Sequence, residues 1–243
     1  MQVIFLKQVG STNAFMLEMS EAERVGRVVW AASQTAGKGM ASNTWESAPG
    51  LNLTFSMGLD LSFMKAADQF LLSQAVPLGL LDVLDTLLPQ ESLKVKWPND
   101  LYYGNRKLCG ILINSTIHGM DMGVSVVGVG LNVNQTHFRE WPTHPISMKM
   151  ILDRETELEP LLLQLADAIV LRVHQLETSA GVEAIRKAYL SRLYRYRTWA
   201  NYEVSGTQVR RYITGIDSFG RLQTLDASGV LSVHDVKEIV FLE

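Results

Sequence analysis

Residues 93–134 read LKVKWPNDLYYGNRKLCGILINSTIHGMDMGVSVVGVGLNVN, and the predicted fold class follows from this stretch. Its apolar and β-branched residues form runs at residues 93–97, 101–103, 107–117 and 122–133. Such runs, bounded by turn residues, predict consecutive strands. Gly104-Asn105 and residues 118–121 supply the hairpin turns between them. The stretch therefore predicts a largely antiparallel sheet.

Upstream of this sheet, the pattern predicts further strands at residues 3–6, 28–33 and 51–59. Residues 63–88 place apolar side chains at i, i+3 and i+4, which predicts a long amphipathic helix that Pro77 kinks. Two more helices are expected at residues 157–177 and 181–194. Helices between groups of strands indicate an α+β architecture, a mixed sheet with helices packed on it.

After about residue 197 the pattern changes to short β-prone runs separated by glycines and an Asp-Ala-Ser-Gly turn. We therefore expect a main domain over residues 1–196 and a small C-terminal β-barrel over residues 197–243. A barrel of this size buries little core alone, so we expect it to lean on the main domain.

The composition excludes several classes of protein. Of the 243 residues, 47% are hydrophobic and 19% charged, which excludes a largely disordered chain. The net charge of −3 argues against a general nucleic-acid binder. The single cysteine, Cys109, cannot form an internal disulfide, so a reducing compartment is expected. The N-terminal apolar run is too short for a signal peptide, and no stretch approaches the roughly 18 apolar residues of a membrane span. These features predict a cytoplasmic protein that does not bind membranes.

A glycine-bearing loop, Gln34–Trp45, reads QTAGKGMASNTW. Gly37 and Gly39 flank Lys38, so backbone N–H groups and one cation can approach a phosphate there. The spacing is neither that of the P-loop nor that of a dinucleotide fingerprint, and glycine-rich loops are most often simple turns. Alone, this loop is a weak signal.

The segment Lys96-Trp-Pro-Asn-Asp100 follows a predicted strand that Pro98 ends. Asn99 and Asp100 can orient polar groups or hold Mg²⁺ through oxygen, although a Pro-Asn-Asp turn without function is common. Lys107, at the start of the next strand, projects from a rigid sheet. In isolation it is more typical of a surface residue.

Two glycines interrupt the apolar strand that ends in Val-Gly-Val-Gly-Leu-Asn-Val-Asn134. Gly128 and Gly130 weaken a strand, so another group is expected to approach the backbone closely at these positions. Asn132 and Asn134 lie two residues apart and would share one face. The alternative is a β-bulge without a ligand.

Together these segments, with Ser11-Thr-Asn13 near the start, resemble the catalytic core of biotin–protein ligases in the family's order. The resemblance implies a class II synthetase-like catalytic domain and an SH3-like C-terminal barrel. It also implies a two-step ligase reaction: biotin and Mg²⁺-ATP give biotinyl-5′-adenylate and pyrophosphate, and biotin then passes to a lysine. The implied acceptor is the biotin carboxyl carrier domain of a biotin-dependent carboxylase.

The resemblance also assigns roles to individual residues. It implies that Lys107 is the principal catalytic lysine and that Lys38 takes the place of the family's loop arginine. The implied biotin-binding set is Ser11, Thr12, Asn13, Gln34, Gly37, Gly39, Met40, Lys107 and Gly110. The implied nucleotide-binding set is Lys38, Trp45, Lys96, Asn99, Gly130 and Asn132, and the implied metal-binding pair is Asp100 and Asn132. Gly110, Gly128 and Gly130 are expected to meet the ligand through their backbone.

The chain departs from the family pattern in three places. The loop at residues 37–43 lacks the later arginines, so we expect weaker retention of the adenylate. Residues 236–242 lack the arginine that often ends the small domain, and Lys237 is the nearest cation. The chain starts at the first catalytic strand, so no DNA-binding domain is expected. Exposed edge strands would allow a homodimer as well as a monomer.

Two rival functions remain in view at this point. One is a lipoate–protein ligase or related acyl transferase, which shares the fold and the single lysine after an Asn-Asp turn. The other is a non-catalytic protein that binds biotin or its adenylate. The segment at residues 96–100 disfavours the first, and Lys107, Asp100 and Asn132 disfavour the second, since a pure biotin binder needs no phosphate chemistry.

Overall fold

The computed structural model describes residues 1–39, 44–89, 93–139 and 144–242. The strands of the first sheet are β1 (Gln2–Leu6), β2 (Arg27–Ala31), β3 (Leu53–Asp60), β4 (Leu93–Lys96), β5 (Asp100–Tyr103), β6 (Arg106–His118) and β7 (Asp121–Leu131). They lie in the order β1-β2-β3-β7-β6-β5-β4. β1 and β2 pair in parallel and the other neighbours are antiparallel. This confirms the mixed, largely antiparallel sheet.

The helices of the main domain are α1 (Thr12–Leu17), α2 (Glu21–Arg24), α3 (Phe70–Leu87), α4 (Met148–Leu152), α5 (Leu158–His174) and α6 (Ser179–Arg192). The expected start of the long helix at residue 63 is wrong. Residues 64–66 instead bond to the β6–β7 turn, where Met122 N–H donates to the Met64 carbonyl and Ala66 N–H to that of Met120. α3 begins only after this connection and carries Pro77 in its buried interior.

The two faces of the sheet are covered by different helices. Val28 and Val127 point into the main core, which α3 and α5 complete. Their neighbours Val29 and Val126 point to the opposite face, where they pack against Met16 of α1. Because strand side chains alternate, Gly128 lies on the same face of β7 as Val126. The start of α1 therefore lies over Gly128, where Asn13 approaches the strand.

A second, antiparallel sheet contains β8 (Trp199–Val204), β9 (Thr207–Ile216), β10 (Leu222–Leu225), β11 (Leu231–His234) and β12 (Ile239–Phe241). Its order is β11-β10-β9-β8-β12. Tyr202 and Ile213 belong to the same buried cluster as the core of the first sheet. The indole N–H of Trp97 also donates to the Gly220 carbonyl at 2.9 Å. The small domain thus packs against the large one. A domain boundary between residues 196 and 197 stays a prediction.

α3 is long and apolar enough, by length and composition, to cross a membrane. Over its 18 residues the mean hydropathy is 1.4, so the expectation that no stretch approaches membrane length is wrong. Most of the helix is buried in the core, where it contacts α5 and α6. This position accounts for its apolar composition.

Candidate active site

The floor of the main cavity is a glycine-bearing patch of the first sheet. One cross-strand row joins Ser56, Gly128 and Leu112, and the next brings Gly110 opposite Gly130. A side chain on Gly128 would lie 2.6 Å from the Asn13 amide nitrogen. One on Gly130 would overlap the Trp45 ring, and one on Gly110 would come within 2.9 Å of it. The glycines thus allow other residues to approach the backbone, as the sequence predicted.

Two different side chains approach these glycines. Gly128 is met by Asn13, whereas Gly110 and Gly130 are met by the Trp45 ring. All three glycines also line the cavity. The expectation that a ligand meets their backbone directly stays a prediction.

Polar side chains at the start of α1 form one wall of the cavity. Ser11, Thr12 and Asn13 are all buried, with no more than 5% of each exposed. The Ser11 hydroxyl caps the helix by accepting from Ala14 N–H. The side-chain amide oxygen of Gln34 accepts from Thr12 N–H at 2.7 Å. The predicted biotin-binding residues Ser11, Thr12, Asn13 and Gln34 all line the cavity.

Asn13 is the informative member of this wall. Its amide nitrogen donates to the Leu112 carbonyl at 3.3 Å. Its amide oxygen is buried and has no hydrogen-bond partner among the described residues. A buried polar atom without a partner costs about 1–3 kcal/mol, so such atoms in a cavity point to a missing ligand donor. Asn13 therefore offers one acceptor to a ligand.

The segments on either side of residues 40–43 pair with each other beside this wall. Trp45 N–H donates to the Gly37 carbonyl at 3.0 Å, and Lys38 and Thr44 form an isolated antiparallel bridge. Lys38, Gly39 and Trp45 line the cavity, with the Lys38 side chain exposed at its mouth. Gly37 is buried under Trp45 and does not line it. Met40 lies outside the described residues.

Opposite the polar wall stands an ion pair. The Lys107 ammonium lies 2.5 Å from the Asp100 carboxylate, and both side chains are about one quarter exposed. Lys107 is the second residue of β6 and Asp100 the first of β5, and the register between these strands shifts nearby, between Leu101 and Tyr102. A pair this exposed adds little stability. Its place at the cavity, which both residues line, is more informative than its energy.

Three residues predicted to bind nucleotide or metal do not line this cavity among the described residues: Lys96, Asn99 and Asn132. Asn99 is buried and lines a second cavity, between Pro98 and Gly220. The Asn132 amide nitrogen donates to the Ile146 carbonyl at 3.1 Å and to that of Lys107 at 3.4 Å. Asn132 thus supports the backbone of the site in this structure.

Lys96 lies behind Asp100. The two residues are cross-strand partners in the β4–β5 ladder. Burial lowers the pKa of Lys96, while the Asp100 carboxylate opposes that shift and Lys107 adds to it. Burial also raises the pKa of the Cys109 thiol, so Cys109 stays protonated and is no candidate nucleophile.

Sequence analysis missed two residues that hold the Trp45 loop, Asn52 and Gln135. The Gln135 amide oxygen accepts from the Asn52 amide at 2.6 Å and from Ala48 N–H at 2.9 Å. The Asn52 amide oxygen accepts from Val133 N–H at 2.9 Å. Both side chains are buried. Their signal was a polar amide at the end of a strongly apolar run, where a buried partner is needed.

Comparison with known proteins places this site in a family. Residues 5–132 match the family described as "Biotin/lipoate A/B protein ligase family". "Biotin--protein ligase 1, chloroplastic" of Arabidopsis thaliana is 36% identical over 134 residues, 54% of this chain, and the chain spans only 36% of that relative. "Biotin--[acetyl-CoA-carboxylase] ligase" of Paracoccus denitrificans is 30% identical over 225 residues, 89% of this chain and 91% of that protein.

The fold has close solved counterparts. The structure described as "Biotin protein ligase from Aquifex aeolicus in complex with biotin and ATP" superimposes with a TM-score of 0.82, covers 100% of this chain and 99% of that one, and is 20% identical. At this identity the likeness shows the α+β fold and the second C-terminal sheet. Since the family match covers more than half of the chain, and the Paracoccus relative is matched over nearly its whole length, this chain belongs to the biotin/lipoate A/B protein ligase family.

Proposed function

We propose that this protein is a biotin–protein ligase, which activates biotin with ATP and transfers it to a lysine of an acceptor protein. The observation that carries the proposal is one cavity with a polar wall at Ser11–Asn13 and a lysine–carboxylate pair, Lys107–Asp100, on its other side. The polar wall suits the ureido ring of biotin. The ion pair suits the carboxylate and the phosphates that react with it.

The wall favours biotin over lipoate within the family. The biotin ureido ring carries two N–H donors and one carbonyl acceptor. The unpartnered Asn13 amide oxygen can accept one N–H, and the Ser11 hydroxyl can donate to the carbonyl. The dithiolane ring of lipoate has neither group, so it would leave the Asn13 oxygen buried and unsatisfied. A site built for hydrogen bonds rejects such an analogue strongly.

The chemistry begins when a carboxylate oxygen of biotin attacks the α-phosphorus of ATP. A new C–O–P linkage forms, the bond to the β-phosphate oxygen breaks, and pyrophosphate leaves. In the second step the acceptor lysine amine attacks the biotinyl carbonyl, loses a proton, and AMP departs. Negative charge gathers on phosphate oxygens in the first step, where a fixed cation contributes most. One Lys107 donor bonds Asp100, and its two other donors are available to substrate.

The described residues would hold Mg²⁺ only together with the phosphates of the substrate. No group of three or more His, Cys, Asp or Glu side chains among them is placed to hold a metal. Asp100 supplies one partly exposed carboxylate at the cavity, and Mg²⁺ is commonly bound by one or two carboxylates together with substrate phosphates and water. Asp100 would hold the ion, which would supply charge neutralisation for the triphosphate. Asn132, already bonded to backbone carbonyls, is not proposed as a ligand.

The acceptor proposed here is the carrier domain of a biotin-dependent carboxylase. The name of the Paracoccus relative, which specifies acetyl-CoA carboxylase, supports this choice. A cytoplasmic location is supported by a single cysteine that is buried and free. The net charge of −3 supports a protein that does not bind nucleic acids in general, and exposed edge strands would allow a homodimer.

The proposal is tested by biotin-dependent exchange of pyrophosphate into ATP, with lipoate in parallel. We expect exchange with biotin alone, and a loss of about 10²–10³-fold in Lys107→Ala. Lys65→Ala is the matched control, because Lys65 forms an exposed 2.5 Å ion pair with Asp121 away from the cavity. Exchange with lipoate alone would favour the lipoate ligase. Biotin binding without exchange would favour the non-catalytic binder.

A further inference from the structure

The ammonium of Lys96 lies in an aromatic box built by both domains. Its nitrogen is 4.7 Å from the centre of the Tyr102 ring on β5 and 5.2 Å from that of Phe241 on β12. It also donates to the Tyr102 hydroxyl at 3.0 Å. A cation over ring faces within about 6 Å is attracted by their electron density. Lys96 is thus held on one side by its own sheet and on the other by the C-terminal barrel.

The box is a connected set of rings. Tyr194, between the domains, lies 5.7 Å from Tyr102 and 6.2 Å from Phe241 in centroid distance. Tyr202 packs edge-on against Phe241 at 5.0 Å and is its cross-strand partner in the β8–β12 ladder. Tyr202 is fully buried. Phe241 therefore has little freedom to move away from Lys96 while the barrel stays docked.

Lys96 is also a neighbour of the ion pair between Lys107 and Asp100. It is opposite Asp100 in the β4–β5 ladder, and Asp100 binds the Lys107 ammonium. The Asp100 carboxylate forms its ion pair with Lys107 and also attracts the neighbouring Lys96 ammonium electrostatically. If Lys96 moved away, Asp100 would attract Lys107 alone and therefore more strongly. The Lys107 ammonium would then be drawn away from the substrate phosphates. The position of Lys96 thus bears on the charge that Lys107 presents.

We propose that Phe241 is a positioning residue, through which the C-terminal barrel holds the Lys96 ammonium beside Asp100 and keeps Lys107 directed at the nucleotide. This inference rests on the proposed ligase function. It assigns the barrel a part in ATP use that needs no direct contact between barrel and substrate. Phe241 itself lies outside the main cavity.

The test replaces Phe241 with Leu, which keeps apolar volume and removes the ring face. In pyrophosphate exchange we expect kcat/KM for ATP to fall about three- to tenfold, within the range of a lost cation–π contact, and KM for biotin to stay within twofold. Phe241→Tyr should restore ATP use. Val240→Ala is the matched control, since Val240 is the exposed neighbour on β12.

A double-mutant cycle distinguishes positioning from general destabilisation. In a Lys96→Met background, Phe241→Leu should change kcat/KM for ATP by less than twofold, because the cation it positions is gone. Equal losses in both backgrounds would overturn the proposal. So would a Phe241→Leu variant that loses ATP and biotin use to the same extent, with a lowered melting temperature.

A second readout does not depend on activity. Brief labelling of surface amines, followed by mass spectrometry, should modify Lys96 several-fold faster in Phe241→Leu than in the parent or in Val240→Ala. Unchanged labelling would overturn the positioning role. If the parent protein shows no exchange with biotin and ATP, the proposed function fails, and the labelling result still decides whether Phe241 holds Lys96.

Discussion

Gly128→Ala should weaken biotin binding through Asn13. The new Cβ would lie 2.6 Å from the Asn13 amide nitrogen, whereas an ordinary contact is about 3.5 Å, so the amide must move by about 1 Å. That movement breaks its 3.3 Å bond to the Leu112 carbonyl and displaces the unpartnered oxygen. The loss of a buried hydrogen bond costs about 1–3 kcal/mol, equivalent to about 5- to 150-fold in affinity.

Isothermal titration with biotin, without ATP, measures this change directly. Gly215→Ala is the matched control, because its Cβ would meet only the end of the flexible Gln223 side chain, at 3.3 Å. In an Asn13→Ala background, Gly128→Ala should change the Kd for biotin by less than twofold. If Gly128→Ala binds biotin within twofold of the parent, Asn13 does not contact the ligand as argued. An equal loss in Gly215→Ala would show that strand glycines are merely intolerant.

Three further outcomes are expected. Gln135→Leu should lower the free energy of unfolding by about 1–3 kcal/mol and speed proteolysis near Trp45, because it leaves the Ala48 N–H without its acceptor; unchanged cleavage would contradict this. Burial lowers the pKa of His234, so the unfolded chain binds more protons than the folded one below about pH 6.5. The melting temperature should therefore fall more steeply between pH 7 and pH 5 in the parent protein than in His234→Gln. Parallel curves for the two proteins would refute this prediction. Lys38→Arg should slow dissociation of the biotinyl-adenylate, since a guanidinium forms a bidentate contact with phosphate, and an unchanged rate in a chase experiment would contradict the role given to the loop.

The sheet was predictable from sequence because its signal is local. Each strand from β4 to β7 is a run of apolar or β-branched residues between turn residues, and pairing followed from short hairpins. β8 has a weaker local signal, since Trp199, Asn201 and Tyr202 do not alternate clearly between apolar and polar residues. α4 was missed because five residues give too little periodicity to detect.

The glycines of β7 show where local pattern reaches its limit. Their spacing predicted that something approaches the backbone, and it does. What approaches is Trp45 at Gly130 and Asn13 at Gly128, residues distant in sequence that the fold brings over the sheet. The sequence therefore located the close approach, and only the tertiary packing decided which part of it is protein and which part is left for a ligand.

Two asparagines of the same motif set show how binding groups can be told from supporting ones. Asn13 keeps a buried amide oxygen without a partner beside the cavity. The amide nitrogen of Asn132 donates to the carbonyls of Ile146 and Lys107. These two residues also bond to each other, since Ile146 N–H donates to the Lys107 carbonyl at 3.0 Å. An unsatisfied buried atom beside a cavity can accept a hydrogen bond from a ligand, whereas a satisfied one has no need of a further partner. By this criterion we expect Asn13 to recognise the substrate, whereas Asn132 holds the backbone of Lys107, although sequence analysis assigned both to ligand binding.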